Sequence, residues 1–201
     1  MDNYECNDKS SFRSCDKFGP IVVKEANCIN PSSPTDSTII AFSTGISLSH
    51  IESVVGLASS LGFGTANIVS ITDNTINLNG TTSEAFTVPC EGNITAISAS
   101  FSPLRSLPLV EGSVTIRAQI FQAPAGSNIF TGTNAFIDLT PALTLPVITL
   151  GQIIYAAGNI PPLSISVGDC LLMVFYIPST TIHLPVNIIG SASAGINIVT
   201  K

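Results

Sequence analysis

Cys6, Cys15, Cys28, Cys90 and Cys170 are the residues of this 201-residue chain best suited to covalent chemistry. An odd number of cysteines leaves at least one thiol free or paired with another chain. Eight residues separate Cys6 from Cys15 and twelve separate Cys15 from Cys28, so they do not form a close-spaced zinc knuckle. The two histidines, His50 and His183, lie near neither a cysteine nor an acidic cluster in the sequence. No metal site and no Cys/His nucleophile pair is therefore expected, and disulfide exchange remains. Cys6, Cys15 and Cys28 are candidates for crosslinks between subunits, with Cys90 or Cys170 of an adjacent subunit as the acceptor. In the plain alternative, Cys90 and Cys170 are buried thiols or pair within one chain.

Five cysteines are many for a reducing compartment. Yet the start of the chain, Met1-Asp-Asn-Tyr-Glu-Cys6, is acidic and shows no apolar signal core. Synthesis inside a cell without a secretory signal, followed by oxidation outside it, reconciles the two.

Other chemistries lack their residues. Gly-x-Ser-x-Gly, Gly-Lys-Ser/Thr phosphate cradles and His-Glu-x-x-His do not occur. Gly62-Phe-Gly64 lacks the strand–helix setting of a phosphate loop. The acids stand singly between β-prone runs, with no evident pair for general acid–base work. The expectation is no enzyme and no cofactor. A net charge of −6 with seven Lys plus Arg gives no nucleic-acid footprint and no anionic-lipid patch. The uncharged stretches 139–168 and 171–200 carry Pro141, Pro146, Pro161, Pro162, Pro178 and Pro185, which disfavour a membrane helix. They are expected to be sheet segments, not spans.

The elements that position the cysteines fall into two parts. Residues 1–37 are a connector arm and linker, and residues 38–201 a β-rich domain. Ten of the twenty charged residues lie in 1–36, leaving ten for the next 165. Ordinary soluble domains are about 25% charged. So sparse a charge is explained most economically by a surface covered largely by copies of itself, the alternative being a monomer whose Ser, Thr and Asn keep it wet. The arm ends in the breaker cluster Asn30-Pro-Ser-Ser-Pro-Thr-Asp36. Its one β-prone run is Pro20-Ile-Val-Val-Lys24, where Ile21, Val22 and Val23 are candidates for a docking strand on a neighbour's sheet edge.

In the remainder, 26 Ile, 19 Thr and 13 Val in the whole chain favour strands. The predicted strands are Thr38–Ser43, Asn67–Ile71, Thr75–Leu78, Glu84–Val88, Gly92–Ser102, Ser113–Gln122, Asn134–Leu139, Gln152–Ile160, Leu163–Val167, Cys170–Ile177 and Ile188–Val199. Asp73-Asn74, Asn79-Gly80, Glu91-Gly92, Glu111-Gly112, Ala125-Gly126 and Gly168-Asp169 punctuate them. Ser49–Leu61 is the one helical candidate, weakened by Gly56 and Ser59-Ser60. Alternation puts Val114, Ile116, Ala118 and Ile120 on one face and Thr115, Arg117 and Gln119 on the other. The predicted core includes Phe86, Ile94, Ile97, Phe101, Ile116, Ile120, Leu172, Val174, Tyr176 and Ile198. Asn79-Gly-Thr81 and Asn93-Ile-Thr95 match the glycan acceptor pattern, although Asn79-Gly80 reads better as a hairpin turn. Short strands with regular punctuation indicate an all-β fold, a jelly-roll β-sandwich behind a flexible N-terminal arm.

Residues 38–200 also resemble a known family. The carrying stretches are Ile40-Ala-Phe-Ser-Thr-Gly45, Gly62-Phe-Gly64, Ala85-Phe-Thr-Val-Pro89 with Gly92-Asn-Ile-Thr-Ala-Ile97, Val114-Thr-Ile-Arg-Ala-Gln-Ile120, Val167-Gly-Asp-Cys-Leu-Leu-Met-Val-Phe175 and Gly190-Ser-Ala-Ser-Ala-Gly-Ile196. In that order they are similar to the C-terminal domain of the collagen-like exosporium glycoproteins of bacterial endospores (BclA/BclB type). The resemblance implies a tumour-necrosis-factor- or C1q-like jelly roll that trimerises on the spore surface and has no chemistry of its own. Two departures stand out. A cysteine-bearing arm replaces the collagen stalk, and Cys90 and Cys170 occupy positions where a polar or basic turn residue is expected. The arm plan is similar to that of endospore appendage (pilus) subunits, whose connector crosslinks successive layers. Together these imply a structural subunit of a spore-surface fibre, with stacked trimer rings joined through the arm. An exosporium anchor protein and a tip protein are the further partners implied. The alternatives are a trimeric tip or adhesin knob docked on a fibre of other proteins, and a phage or host-facing knob sharing only the architecture.

Overall fold

Alternating β-branched and small residues hold the backbone extended, and a fold made of such segments must bury their apolar faces in layers. The computed structural model describes residues 37–44, 56–79, 84–107, 111–145, 149, 151–178 and 186–200. The strands are β1 (Ser37–Ser43), β2 (Leu57–Leu61), β3 (Ala66–Ser70), β4 (Thr75–Asn77), β5 (Phe86–Thr87), β6 (Gly92–Leu107), β7 (Gly112–Val114), β8 (Arg117–Ala123), β9 (Ile129–Asp138), β10 (Leu143–Leu145), β11 (Ile154–Ile165), β12 (Cys170–Tyr176) and β13 (Asn187–Thr200). Among the described residues no helix is long and apolar enough to cross a membrane.

The first sheet has the order β1-β13-β6-β11, and the second β3-β2-β12-β8-β9-β4, with β5 also paired to β12. All these pairings are antiparallel. A ribbon of β7 and β10 completes the set. The fold is thus an all-β antiparallel sandwich compatible with a jelly roll, as strand count and punctuation predicted. The inward faces of the two sheets enclose a core that includes Phe42, Ile94, Ile97, Phe101, Ile120, Met173 and Phe175.

The second sheet adds a feature that periodicity did not predict. β3 and β4 are its outermost strands, yet a two-residue turn joins them. Asp73 and Asn74 both hold left-handed φ, 48° and 58°, the backbone of a tight hairpin turn. Thr72 and Thr75 exchange bonds of 2.9 and 2.8 Å. A sheet whose ends are tied this closely has to curl until it nearly closes on itself. The hollow is filled by a second cluster that includes Val69, Ile76, Phe121, Phe130, Leu172 and Val174. β12 is therefore covered on both sides. Leu171, Met173 and Phe175 enter the main core, while Leu172 and Val174 enter the curl.

Three expectations need correction. Leu57–Leu61 is a strand and not the end of a helix, because Ala58 packs into the curl while Leu61 packs into the main core. Gly56 precedes it at φ 67°, which breaks helical continuity. The rest of the helical candidate, 49–55, lies outside the described residues. The run 113–122 is divided at Thr115-Ile116, where the chain passes from pairing with β10 to pairing with β9 and β12. The runs 152–160 and 163–167 belong to the single strand β11, whose register shifts between Asn159 and Leu163. Pro161 and Pro162 have no N–H for the ladder and are expelled as a bulge. The face that alternation gives to Arg117 and Gln119 is covered too, Gln119 being buried and Arg117 half-buried. Of the predicted core, Ile94, Ile97, Phe101, Ile116, Ile120, Leu172, Val174 and Ile198 are buried. Phe86 and Tyr176 pack half-buried at its margins.

Candidate assembly surfaces

The two body cysteines come to one corner. Thr87 on β5 faces Cys170 on β12 in the ladder. Beyond it, Val88 donates its N–H to Asp169 O at 2.8 Å, and Gly168 donates to Val88 O at 2.9 Å. Two residues later Cys90 stands exposed, whereas Cys170 is half-buried, and both thiols are free. The Cys170 sulfur lies 3.8 Å from Thr87 Oγ1 and 3.8 Å from Gly168 O, contacts that leave it unbonded to another sulfur. Gly168 turns the chain at φ 86°. Asp169 locks that turn, its carboxylate accepting from Ser166 N at 2.9 Å and from Gln122 Nε2 at 2.8 Å. The corner therefore presents an exposed thiol two residues beyond the Val88 bonds, with a second thiol at the adjoining strand end. Cys6, Cys15 and Cys28, and the docking candidates Ile21, Val22 and Val23, lie outside the described residues, as do His50 and His183.

The outer face of the first sheet is the second candidate. β1, β11 and β13 contain no charged residue, and Arg105 is the single one in β6. Small side chains dominate, with Ser98 and Ser100 on β6, Ala157 on β11, and Ser191 and Ser193 on β13. The Ser100 and Ser193 hydroxyls meet at 2.9 Å, and Asn197 Nδ2 donates to Thr95 Oγ1 at 2.9 Å. Large apolar side chains flank them, for Ile39 is 74%, Tyr155 66% and Ile153 61% exposed. A groove of about 570 Å³ crosses all four strands, lined by Ile39, Ala96, Ala157, Gly158, Gly195 and Ile196 among others. A charge-poor, apolar-rimmed face of this kind is a common feature of protein contacts.

A polar cluster that alternation did not reveal closes one end of the curl. Arg117 opens β8, Asp138 ends β9 and Tyr176 ends β12, so the three meet there. Arg117 Nε and Nη2 donate to Asp138 at 2.7 and 2.9 Å, and the guanidinium carbon sits 3.9 Å from the Phe136 ring centroid. The Asp138 hydrogen bond holds the Arg117 pKa above its ordinary value, against a smaller opposing effect of burial. Tyr176 OH donates to Gln119 Oε1, and Gln119 Nε2 donates to Thr133 O at 2.6 Å. With its groups engaged in this way the cluster is scaffold. A strand whose "polar" face carries an Arg and a Gln two apart, opposite Phe-rich β9, was the available signal. Among the described residues no three His, Cys, Asp or Glu side chains gather as metal ligands.

The class so defined is an antiparallel all-β sandwich with a free-thiol corner and a charge-poor sheet face. No protein-family model matches the chain, and no curated protein matches it.

Proposed function

We propose that the chain is a structural, self-assembling subunit of a bacterial spore-surface (exosporium) fibre or pilus. In this reading its bodies associate as trimers, and the N-terminal arm joins one ring to the next. The observation that carries it is the outer face of the first sheet. Four strands with a single charge among them, flanked by exposed Ile39, Ile153 and Tyr155, leave apolar area that contact between copies removes from water. The odd cysteine count and the exposed Cys90 thiol support a covalent lock added after contact. The resemblance of residues 38–200 to the exosporium glycoproteins supports the trimer and the spore surface.

Negative-stain microscopy and sedimentation of the purified protein, with and without reductant, test this reading. Filaments that run as multimers in non-reducing electrophoresis are the expected result. Particles that stop at trimers indicate the tip or adhesin knob instead, and a lone uncrosslinked monomer overturns the proposal. Ala157→Arg, which places a charge at the groove, should lower association by about tenfold or more, the equivalent of about 1.4 kcal/mol.

A further inference from the structure

Main-chain groups are left free to bind at the edges of a sheet, and most edges here are occupied or blunted. The second sheet curls until its outer strands meet at Thr72 and Thr75. On the β11 side of the first sheet, Tyr155 exchanges bonds with Thr140 at 3.0 and 3.3 Å, and Pro161-Pro162 interrupts the ladder beyond it.

β1 differs. Thr44 donates its N–H to Ala192 O on β13 at 3.1 Å, while Ser43 points the other way, donating to Gly62 O at 2.9 Å and accepting from Gly64 N at 3.0 Å. β1 pairs with β13 in unbroken register from Ser37↔Val199 to Ser43↔Ser193. Alternation along such a strand turns the N–H and C=O of Ser37, Ile39 and Ala41 away from β13, toward the open side. At Ser43 that side is closed by Phe63, whose ring stacks on Phe42 at 5.8 Å. Among the described residues none pairs with the open side of 37–41, which carry no proline, charge or bulge, and Ile39 is exposed alongside.

We infer that this edge seats the Pro20–Lys24 run of a second copy's arm, added as a fifth strand of the first sheet. The inference rests on the reading that the arm joins copies, and it names where. The run has five residues, the length of the open edge. Thirty-six residues precede Ser37, and twelve of them separate Lys24 from it. That connector spans up to about 40 Å when extended, more than the roughly 30 Å across a small domain, so the run reaches a neighbouring body. On the added strand Ile21 and Val23 take one face and Val22 the other. The side chain on the outer face lies against Ile39 and removes it from water. Main-chain bonds hold the strand and the apolar side chains set its register. Pro20 stops the ladder at one end.

Ala41→Pro in the full-length chain is the test. It removes an N–H aimed at the open edge and none bonded to β13, and an edge strand accommodates proline there. The far-ultraviolet circular dichroism and melting transition should stay unchanged, while elongation followed by light scattering falls about tenfold or more. A synthetic peptide of residues 18–25 added to the wild-type chain should shorten the assemblies, a readout independent of how the variant folds. Deleting residues 1–30 tests the underlying reading separately. If the deletion stops elongation but Ala41→Pro and the peptide do not, the arm joins copies at another seat and this edge is the wrong one. If the deletion elongates normally, the arm reading itself fails. If Ala41→Pro lowers stability with elongation intact, the edge is filled by the chain's own arm, and the inference is overturned.

Discussion

Replacing Leu172 by alanine separates a curled, doubly filled sandwich from an open one. Leu171 and Leu172 are adjacent on β12, fully buried, and point to opposite sides, Leu171 into the main core and Leu172 into the curl. In an open sandwich one of the two would face water, and truncating it would cost well under about 1 kcal/mol. With both sides packed, each Leu→Ala change removes buried methyl groups and leaves a cavity, at about 3 kcal/mol. In a domain of this size about 1 kcal/mol moves the melting temperature by about 2–4 °C. Each variant should therefore melt about 6–12 °C below the wild type. Differential scanning calorimetry at one protein concentration, with reductant, keeps assembly and sulfur chemistry from contributing. Leu104→Ala, at a 46% exposed position, should move the transition little. A Leu172→Ala loss under about 1 kcal/mol beside a full Leu171→Ala loss would refute the filled curl.

Gly190→Ala should cost about 2–3 kcal/mol by overpacking, since the new Cβ would meet Phe101 Cζ and Ser102 O, each at 2.4 Å. Phe101→Leu relieves the ring but not the carbonyl, so recovery of the urea midpoint in the double variant contradicts this account. Arg117→Gln should cost about 1–2 kcal/mol, at the low end because the Asp138 side chain is 41% exposed. The Asp138 hydrogen bond raises the folded-state pKa of Arg117. Its contribution is then fully present below the ordinary arginine range and is lost only as pH rises through the higher folded value. The stability difference between wild type and variant should thus be flat from about pH 7 to about pH 10, far below the range in which arginine titrates. A difference that shrinks across that window would count against the assignment.

Strands with one wet face were legible because their alternation has a single interpretation. β13 reads Ser191, Ala192, Ser193, Ala194, Gly195, Ile196, and it buries every second residue. What escaped was a consequence of closure. Leu57-Ala-Ser-Ser-Leu61 alternates between two apolar environments, so period two and a short helix looked alike. In β8 the alternation separates two faces without saying that both are buried, Gln119 and Phe121 facing a second interior. No local pattern announces that β3 and β4 will be tied together, except the Asp73-Asn74 turn between them. Of the candidate sites, the turn signals marked Cys90 and Cys170 singly, but not their approach at one corner, which the pairing of β5 with β12 creates. The charge-poor face was legible as a count of charges but not as a place, because the pairing of β1 with β13 joins residues 150 or more positions apart.

That pairing has a mechanical consequence. Ser37 opens β1 opposite Val199 near the end of β13, so the domain's first and last strand residues lie at one pole. A pull applied to Ser37 along the β1 axis, with the rest of the sandwich held, would enter at that pole. The bonds to β13 lie across that axis, so they are loaded together in shear, not opened one at a time like a zip. A unit anchored this way resists stretching as a whole and, when overloaded, gives way in one step.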